Sequence, residues 1–156
     1  MSQALKIAVY ALMSGDTLLP GLLTAHPADP ARPAILAGSK AQFPPVYDCL
    51  TYRLSDATPD KRFRPGIPGV PGTVRSYTQG VEDFYLDCEA WTQTPDSAPL
   101  DAINARLDAL FHQTGFPTSA GPVIYAERLV RQSDDYDKTL NAWFSLSRFR
   151  LRFQSI

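Results

Sequence analysis

The segment SAPLDAINARLDALFHQTG, Ser97 to Gly115, decides the fold class. Its apolar residues Leu100, Ile103, Leu107, Leu110 and Phe111 recur at spacings of three, four, three and one. That spacing gathers them on one stripe of an α-helix and turns Asp101, Asn104 and Asp108 away from it. Ser97 is a candidate N-cap, and Pro99 falls in the first turn, where its missing N–H leaves no bond unmade. Gly115 suits the position just past the helix, and Pro117 blocks a restart. A helix with one apolar stripe must bury it against another layer. Period-two segments on either side supply that layer, so the expectation is an α+β domain with this helix at its centre.

Upstream, Gly80 to Thr92 is the clearest strand. Phe84, Leu86, Cys88 and Ala90 share one face; Asp83, Tyr85, Asp87, Glu89 and Trp91 share the other. Val46 to Ser55 is a second strand with imperfect alternation, because Asp48 falls among the apolar set Val46, Leu50, Tyr52 and Leu54. Pro44 and Pro45 fit only at its start or on an edge. Ala34 to Ala37 reads as a short strand before Gly38. Ala25 to Pro33 holds Pro27, Pro30 and Pro33 and reads as a loop. Near the N-terminus, Leu5, Ala8, Val9 and Leu12 predict a short helix over Gln3 to Met13. Gly15 ends it, and Asp16 caps a further turn through Leu18 and Leu19.

Downstream, Pro122 to Gln132 and Thr139 to Phe153 predict a hairpin, with Ser133 to Lys138 as its polar turn. In the last strand the apolar parity passes from Leu140, Ala142, Phe144 and Leu146 to Phe149, Leu151 and Phe153. Such a switch predicts a β-bulge or bend near Ser147. The sum is one domain over 1–156: a mostly antiparallel sheet of about four strands. Both helices lie on one face, and the other face is polar and aromatic.

Asp56 to Tyr77 is the long excursion between two of the strands. It carries Lys61, Arg62, Arg64 and Arg75, and Gly66, Gly69 and Gly72 at every third position. Two such triplets cannot sustain a collagen helix. Loops this long are functional or disordered as a rule. An arm that orders against a partner chain is one expectation; a solvated basic loop is the other.

Composition excludes several function classes. The chain has 15 basic and 16 acidic residues, a net charge of −1, so no global field draws it to nucleic acid or anionic lipid. No run approaches the ~20 apolar residues of a membrane span, and the N-terminus lacks a signal-peptide pattern. Cys49 and Cys88 make neither a disulfide framework nor a zinc site, though one bridge between neighbouring strands stays open. His26 and His112 have no metal partner at ligand spacing. No nucleophile elbow, P-loop or dinucleotide fingerprint occurs. Asp134, Asp135 and Asp137 lack the glycine and terminal glutamate of a calcium loop and read as a soluble turn. No catalytic residue, cofactor or metal is expected.

Two charged sets remain. Arg148, Arg150 and Arg152 form a comb on one strand face, spaced ~6.6 Å apart, which matches a phosphate track roughly. Asp83, Asp87 and Glu89 are their natural counterparts, in the same sheet or on a neighbour. A small ligand-binding domain or enzyme using this acidic–aromatic face is the rival reading.

The order of elements carries a resemblance. An Asp-x-Leu-Leu turn (Asp16 to Leu19) precedes a Pro-Pro-Val-Tyr strand entry (Pro44 to Tyr47). Next come the strand Phe84-Tyr85-Leu86-Asp87-Cys88-Glu89-Ala90-Trp91 and the helix Leu100 to Leu107. A hairpin ending in alternating arginines and aromatics closes the chain. Over Leu5 to Phe153 this resembles the tail-terminator and tail-completion proteins of long-tailed bacteriophages, prophages and gene-transfer particles. The long Asp56–Tyr77 loop departs from the pattern.

The resemblance implies a structural, non-enzymatic virion subunit made in the bacterial cytoplasm. Such proteins form a ring, usually a hexamer, at the head-proximal end of the tail tube. They stop tube growth and join tail to head. The implied partners are further copies of itself, the major tail tube protein and a head-completion or connector protein, with DNA only passing through the lumen and no membrane. A neighbouring neck adaptor of the same particle is the alternative. The implied contact residues are Lys61, Arg62, Arg64, Arg75, Asp83, Asp87, Glu89, Arg148, Arg150 and Arg152.

Overall fold

The computed structural model describes residues 2–42, 46–56 and 81–154. The long excursion, from 57 to 80, lies outside the described residues, with Lys61, Arg62, Arg64 and Arg75. So do Pro44 and Pro45.

The fold is α+β, with helix α1 (Ser2–Ser14) and helix α2 (Ala98–Phe111) on one face of a mixed sheet. The main strands are β3 (Ile35–Ala37), β4 (Cys49–Asp56), β5 (Val81–Thr92), β6 (Thr114–Phe116), β7 (Val123–Asp137) and β8 (Ala142–Gln154). Their order is β3-β4-β5-β8-β7-β6. All neighbours are antiparallel except β3 with β4. The sheet thus has six strands, not four: β3 joins one margin in parallel, and β6 joins the other just after α2.

A separate hairpin, β1 (Ala25–His26) with β2 (Asp29–Pro33), replaces the loop expected from the prolines. Pro27 sits in the turn between them, where its fixed φ is suitable. Two strands this short have free margins that tolerate Pro30 and Pro33.

The core lies between helices and sheet. Leu5, Val9 and Met13 of α1 and Leu100, Ile103, Leu107 and Phe111 of α2 pack on Leu50, Leu86, Cys88, Phe149, Leu151 and Phe153, all of them buried. Helix α2 starts as its sequence predicts, but the side chain capping it is Asp96, whose Oδ1 accepts from Ala98 N–H at 3.1 Å. Ser97 makes no side-chain cap. The left-handed residue past the helix is Gln113 (φ 57°), and Gly115 is in β6. A Cβ there would lie 2.8 Å from the Val123 carbonyl oxygen, so close approach of β7 is what requires glycine.

Two alternation problems resolve differently. Asp48 interrupts the pattern before β4 because it lies outside the strand, at φ 49°. Its Oδ1 accepts from Thr92 Oγ1 at 2.6 Å, which pins the entry of β4 to the end of β5. In β8 the expected bulge near Ser147 is absent. Its register with β5 runs unbroken from Trp143↔Thr92 to Gln154↔Val81. The helix-side face is odd-numbered throughout, and at Ser145 and Ser147 it is polar because Asn104 lies above them. Asn104, expected to face away, is buried, and its Nδ2 donates to Ser145 Oγ at 2.7 Å. The register shifts fall instead in β7, between Val123 and Tyr125, Arg128 and Val130, and Gln132 and Asp135. They bend the outer part of the sheet. β7 also runs through most of the predicted turn, as far as Asp137, whose Oδ1 accepts from Thr139 and Leu140 N–H at 2.9 Å each.

Asp16 behaves as read from sequence and does more. Its Oδ2 accepts from Leu18 and Leu19 N–H at 3.2 and 2.8 Å, ahead of the 3₁₀ turn Leu19–Leu22. Arg106 of α2 donates to both its oxygens, at 2.6 and 3.0 Å. The Arg106 hydrogen bonds hold the Asp16 carboxyl at about 2, below its ordinary 3.8. A lowered pKa stabilises the fold above the ordinary value, and that contribution is lost as pH falls through the folded one. Asp16→Asn should cost about 1–2 kcal/mol at neutral pH. The difference from wild type should shrink between pH 3.8 and about 2. Urea melts at a series of pH values check this; a constant gap across that range contradicts it.

Candidate functional site

The face of the sheet away from the helices has two parts. One end is apolar: Leu36, Cys49, Trp91 and Ala142 are buried together beneath Tyr47 and Phe144. Trp91 stacks on Phe144 with ring centroids 4.7 Å apart. Tyr47 OH donates to the Leu140 carbonyl at 2.6 Å and ties the cover down. Trp91, predicted on the polar face, is therefore on that side but covered.

The rest of this face is an ionic lattice. Asp83 lies opposite Arg152, and Asp87 opposite Arg148, across the β5–β8 pair. Each pair is bidentate: Arg148 Nε and Nη2 donate to Asp87 at 2.7 and 2.8 Å, and Arg152 donates to Asp83 at 2.9 and 3.1 Å. Arg150 turns to the other neighbouring strand and pairs with Glu127 of β7. Glu89 accepts from Thr51 Oγ1 at 3.4 Å. The Arg148 guanidinium also lies 5.5 Å from the Tyr85 ring centre. Of the ten sequence-predicted contact residues, the structure brings six together here; the four basic residues of the excursion lie outside the described residues. Glu127 was missed: the hairpin that sets β7 beside β8 is predicted, but the register that brings Glu127 opposite Arg150 depends on the shifts along β7, which the sequence does not mark.

This pairing decides what the arginine comb can do. Four carboxylates (Asp83, Asp87, Glu89, Glu127) share the face with four guanidiniums (Arg53, Arg148, Arg150, Arg152). Each arginine of the comb already holds a carboxylate, so among the described residues the comb is neutralised and offers no free cationic track to phosphate. The pairs are partly exposed, and each contributes no more than about 1 kcal/mol. Their effect is on register, since opposite charges across neighbouring strands favour one alignment.

Among the described residues, no group of three or more His, Cys, Asp or Glu is placed to hold a metal. His112 Nδ1 accepts from Arg128 N–H at 3.0 Å and His26 Nδ1 from Ala28 N–H at 3.1 Å, both local backbone roles. A depression of about 320 Å³ at the start of α2 is lined by Pro95, Asp96, Ser97, Leu100, Asp134 and Trp143. No described helix is long and apolar enough to cross a membrane.

Cys49 and Cys88 are free and buried on opposite faces of the sheet, which rules out the bridge left open by the sequence. Burial pushes the Cys49 thiol up to about 12 and raises Cys88 as well. Neither thiol should react with iodoacetamide in the native protein, whereas both should in denaturant. Intact-mass measurement reads this directly; labelling of the native form would show that the apolar cover opens.

No protein-family model and no curated protein matches the chain. Among solved structures, it is similar to a chain of the virion of a native gene transfer agent (GTA) particle. The TM-score is 0.62 at 16% identity, and the match covers 99% of this chain and 97% of that one. The two share a fold along their whole lengths.

Proposed function

We propose that this chain is a structural, non-enzymatic subunit of a phage-like particle. It forms a ring at the head-proximal end of the tail tube, ends tube growth and joins tail to head. The observation that carries the reading is the fold shared over nearly the full chain with a GTA virion chain. The neutral, ion-paired sheet face is consistent with it: a lumen that only passes DNA needs no base readout and no tight phosphate grip. Its partners are then further copies of itself, the major tail tube protein and a head-completion or connector protein. A neck adaptor in the same particle is the second reading, because the fold likeness is to the particle and singles out no position along it.

Imaging of the purified protein, with its native mass, tests the proposal. Rings that cap one end of purified tail tubes are expected. A protein that stays monomeric and fails to bind tube ends overturns it. Binding to head connectors but not to tubes selects the neck reading.

A further inference from the structure

Helix α1 is apolar nearly all round. From Ala4 to Met13 its one charged residue is Lys6, and it holds no acid. Leu5, Val9 and Met13 fill the core, yet Ile7, about half a turn round the helix from Leu5, is 60% exposed. Ala11, one turn beyond Ile7, is exposed as well. A helix that is apolar all round is ordinarily buried all round. The outer side of α1 thus has the character of an interface without a cover.

The depression at the start of α2 is complementary to it. Leu100, Pro95 and Trp143 form an apolar wall, and Asp96 and Asp134 bring negative charge. Exposed Tyr136 extends the wall, its ring centre 5.0 Å from that of Trp143. Burial and the nearby Asp101 raise the Asp134 carboxyl above its ordinary value, so acid is in excess there. None of Asp96, Asp134 and Lys6 makes an ion pair among the described residues.

The two surfaces lie on one side of the sheet, at one level and toward opposite margins. α1 packs on β3 at one margin, and α2 covers the sheet from β5 to β6. Ile35 of β3 stands in a row with Leu50, Ala90 and Ser145. That row ends at the β7 bulge between Gln132 and Asp135, which holds Asp134. We propose that α1 of a second copy docks in this depression, with Ile7 on the Leu100–Trp143 wall and Lys6 beside Asp134. Because the joined surfaces differ, each copy keeps one of each for the next, which is the heterologous contact a closed ring requires. The two-fold alternative, α1 against α1, brings Lys6 toward Lys6 with no acid on either helix, and like charges oppose it.

The inference rests on the ring assembly proposed above, and the two fail in different ways. Chains carrying Ile7→Cys and Asp134→Cys are co-expressed and treated with a short bis-maleimide; buried Cys49 and Cys88 leave wild type as the blank. A covalent heterodimer in the mixture, with none from either variant alone, is expected. Both positions are exposed, so the melting temperature should hold. Cross-linking of the Ile7→Cys chain to itself overturns the head-to-tail contact. Oligomeric protein with no cross-link overturns the inference while the ring stands; monomeric protein throughout, free and with tail tubes, overturns both. Charge exchange gives a second reading. Lys6→Glu and Asp134→Lys should each weaken self-association about fivefold, and the two in one chain should restore most of it. Losses that simply add overturn the inference.

Discussion

Phe149→Ala is expected to lower the unfolding free energy by about 3–5 kcal/mol, a large share of the stability of any single domain. Phe149 is fully buried at the middle of β8. Its ring meets Phe111 of α2 at 5.6 Å between centroids, and its neighbours across the strands are Leu86 and Arg128. Truncation removes the side chain where helix and sheet meet, and flanking strands hydrogen-bonded on both sides cannot close the space. A urea titration should show a lower midpoint with an unchanged slope. The ionic lattice lies on the opposite face, so the folded fraction should keep whatever partner binding wild type has. A loss below about 1 kcal/mol would mean that the sheet relaxes around the gap.

Asp108→Ala is the second large effect, at about 2–3 kcal/mol. Its carboxylate takes Arg128 Nη1 at 2.5 Å and both Nη atoms of Arg131, at 3.0 and 2.8 Å. Arg131 also donates to the Asn104 carbonyl and to Ser147 Oγ, at 3.2 Å each. One acid thus fastens α2 to the bulged part of β7, where apolar contact is sparse. Its loss leaves two guanidiniums facing each other with about a third of each side chain exposed. That exposure keeps the cost below that of a fully buried pair broken on one side. Arg131→Ala in the same background should recover part of the loss, and the double-mutant cycle measures the coupling. Additive losses would mean that the two side chains act independently.

Both sites show where sequence reading stops. Phe149 belongs to an alternating run and is legible as core. Asp108 is legible only as a polar residue off the apolar stripe; that it clamps β7 depends on where the bulges put Arg128 and Arg131. The arginine comb was legible as a comb and Asp83 and Asp87 as its candidate partners, because each set alternates along its own strand. Glu127 was not, since its place opposite Arg150 depends on the register of the hairpin, and the shifts along β7 that set it leave no local mark.

The sequence by itself determined the elements whose causes are local. The apolar stripe of α2, the two-faced β5, the Asp16 turn and the absence of catalytic motifs all follow from neighbours a few residues apart, where propensity and period act. Tertiary structure alone decided the rest: β3 parallel at one margin, β6 at the other, a prolines-and-turn hairpin in place of a loop, and an unbroken β8. In β8 the serines read as a change of face, yet they keep the face and meet buried Asn104. A polar residue inside is stable only when it has a partner, and that partner came from a helix some forty positions away.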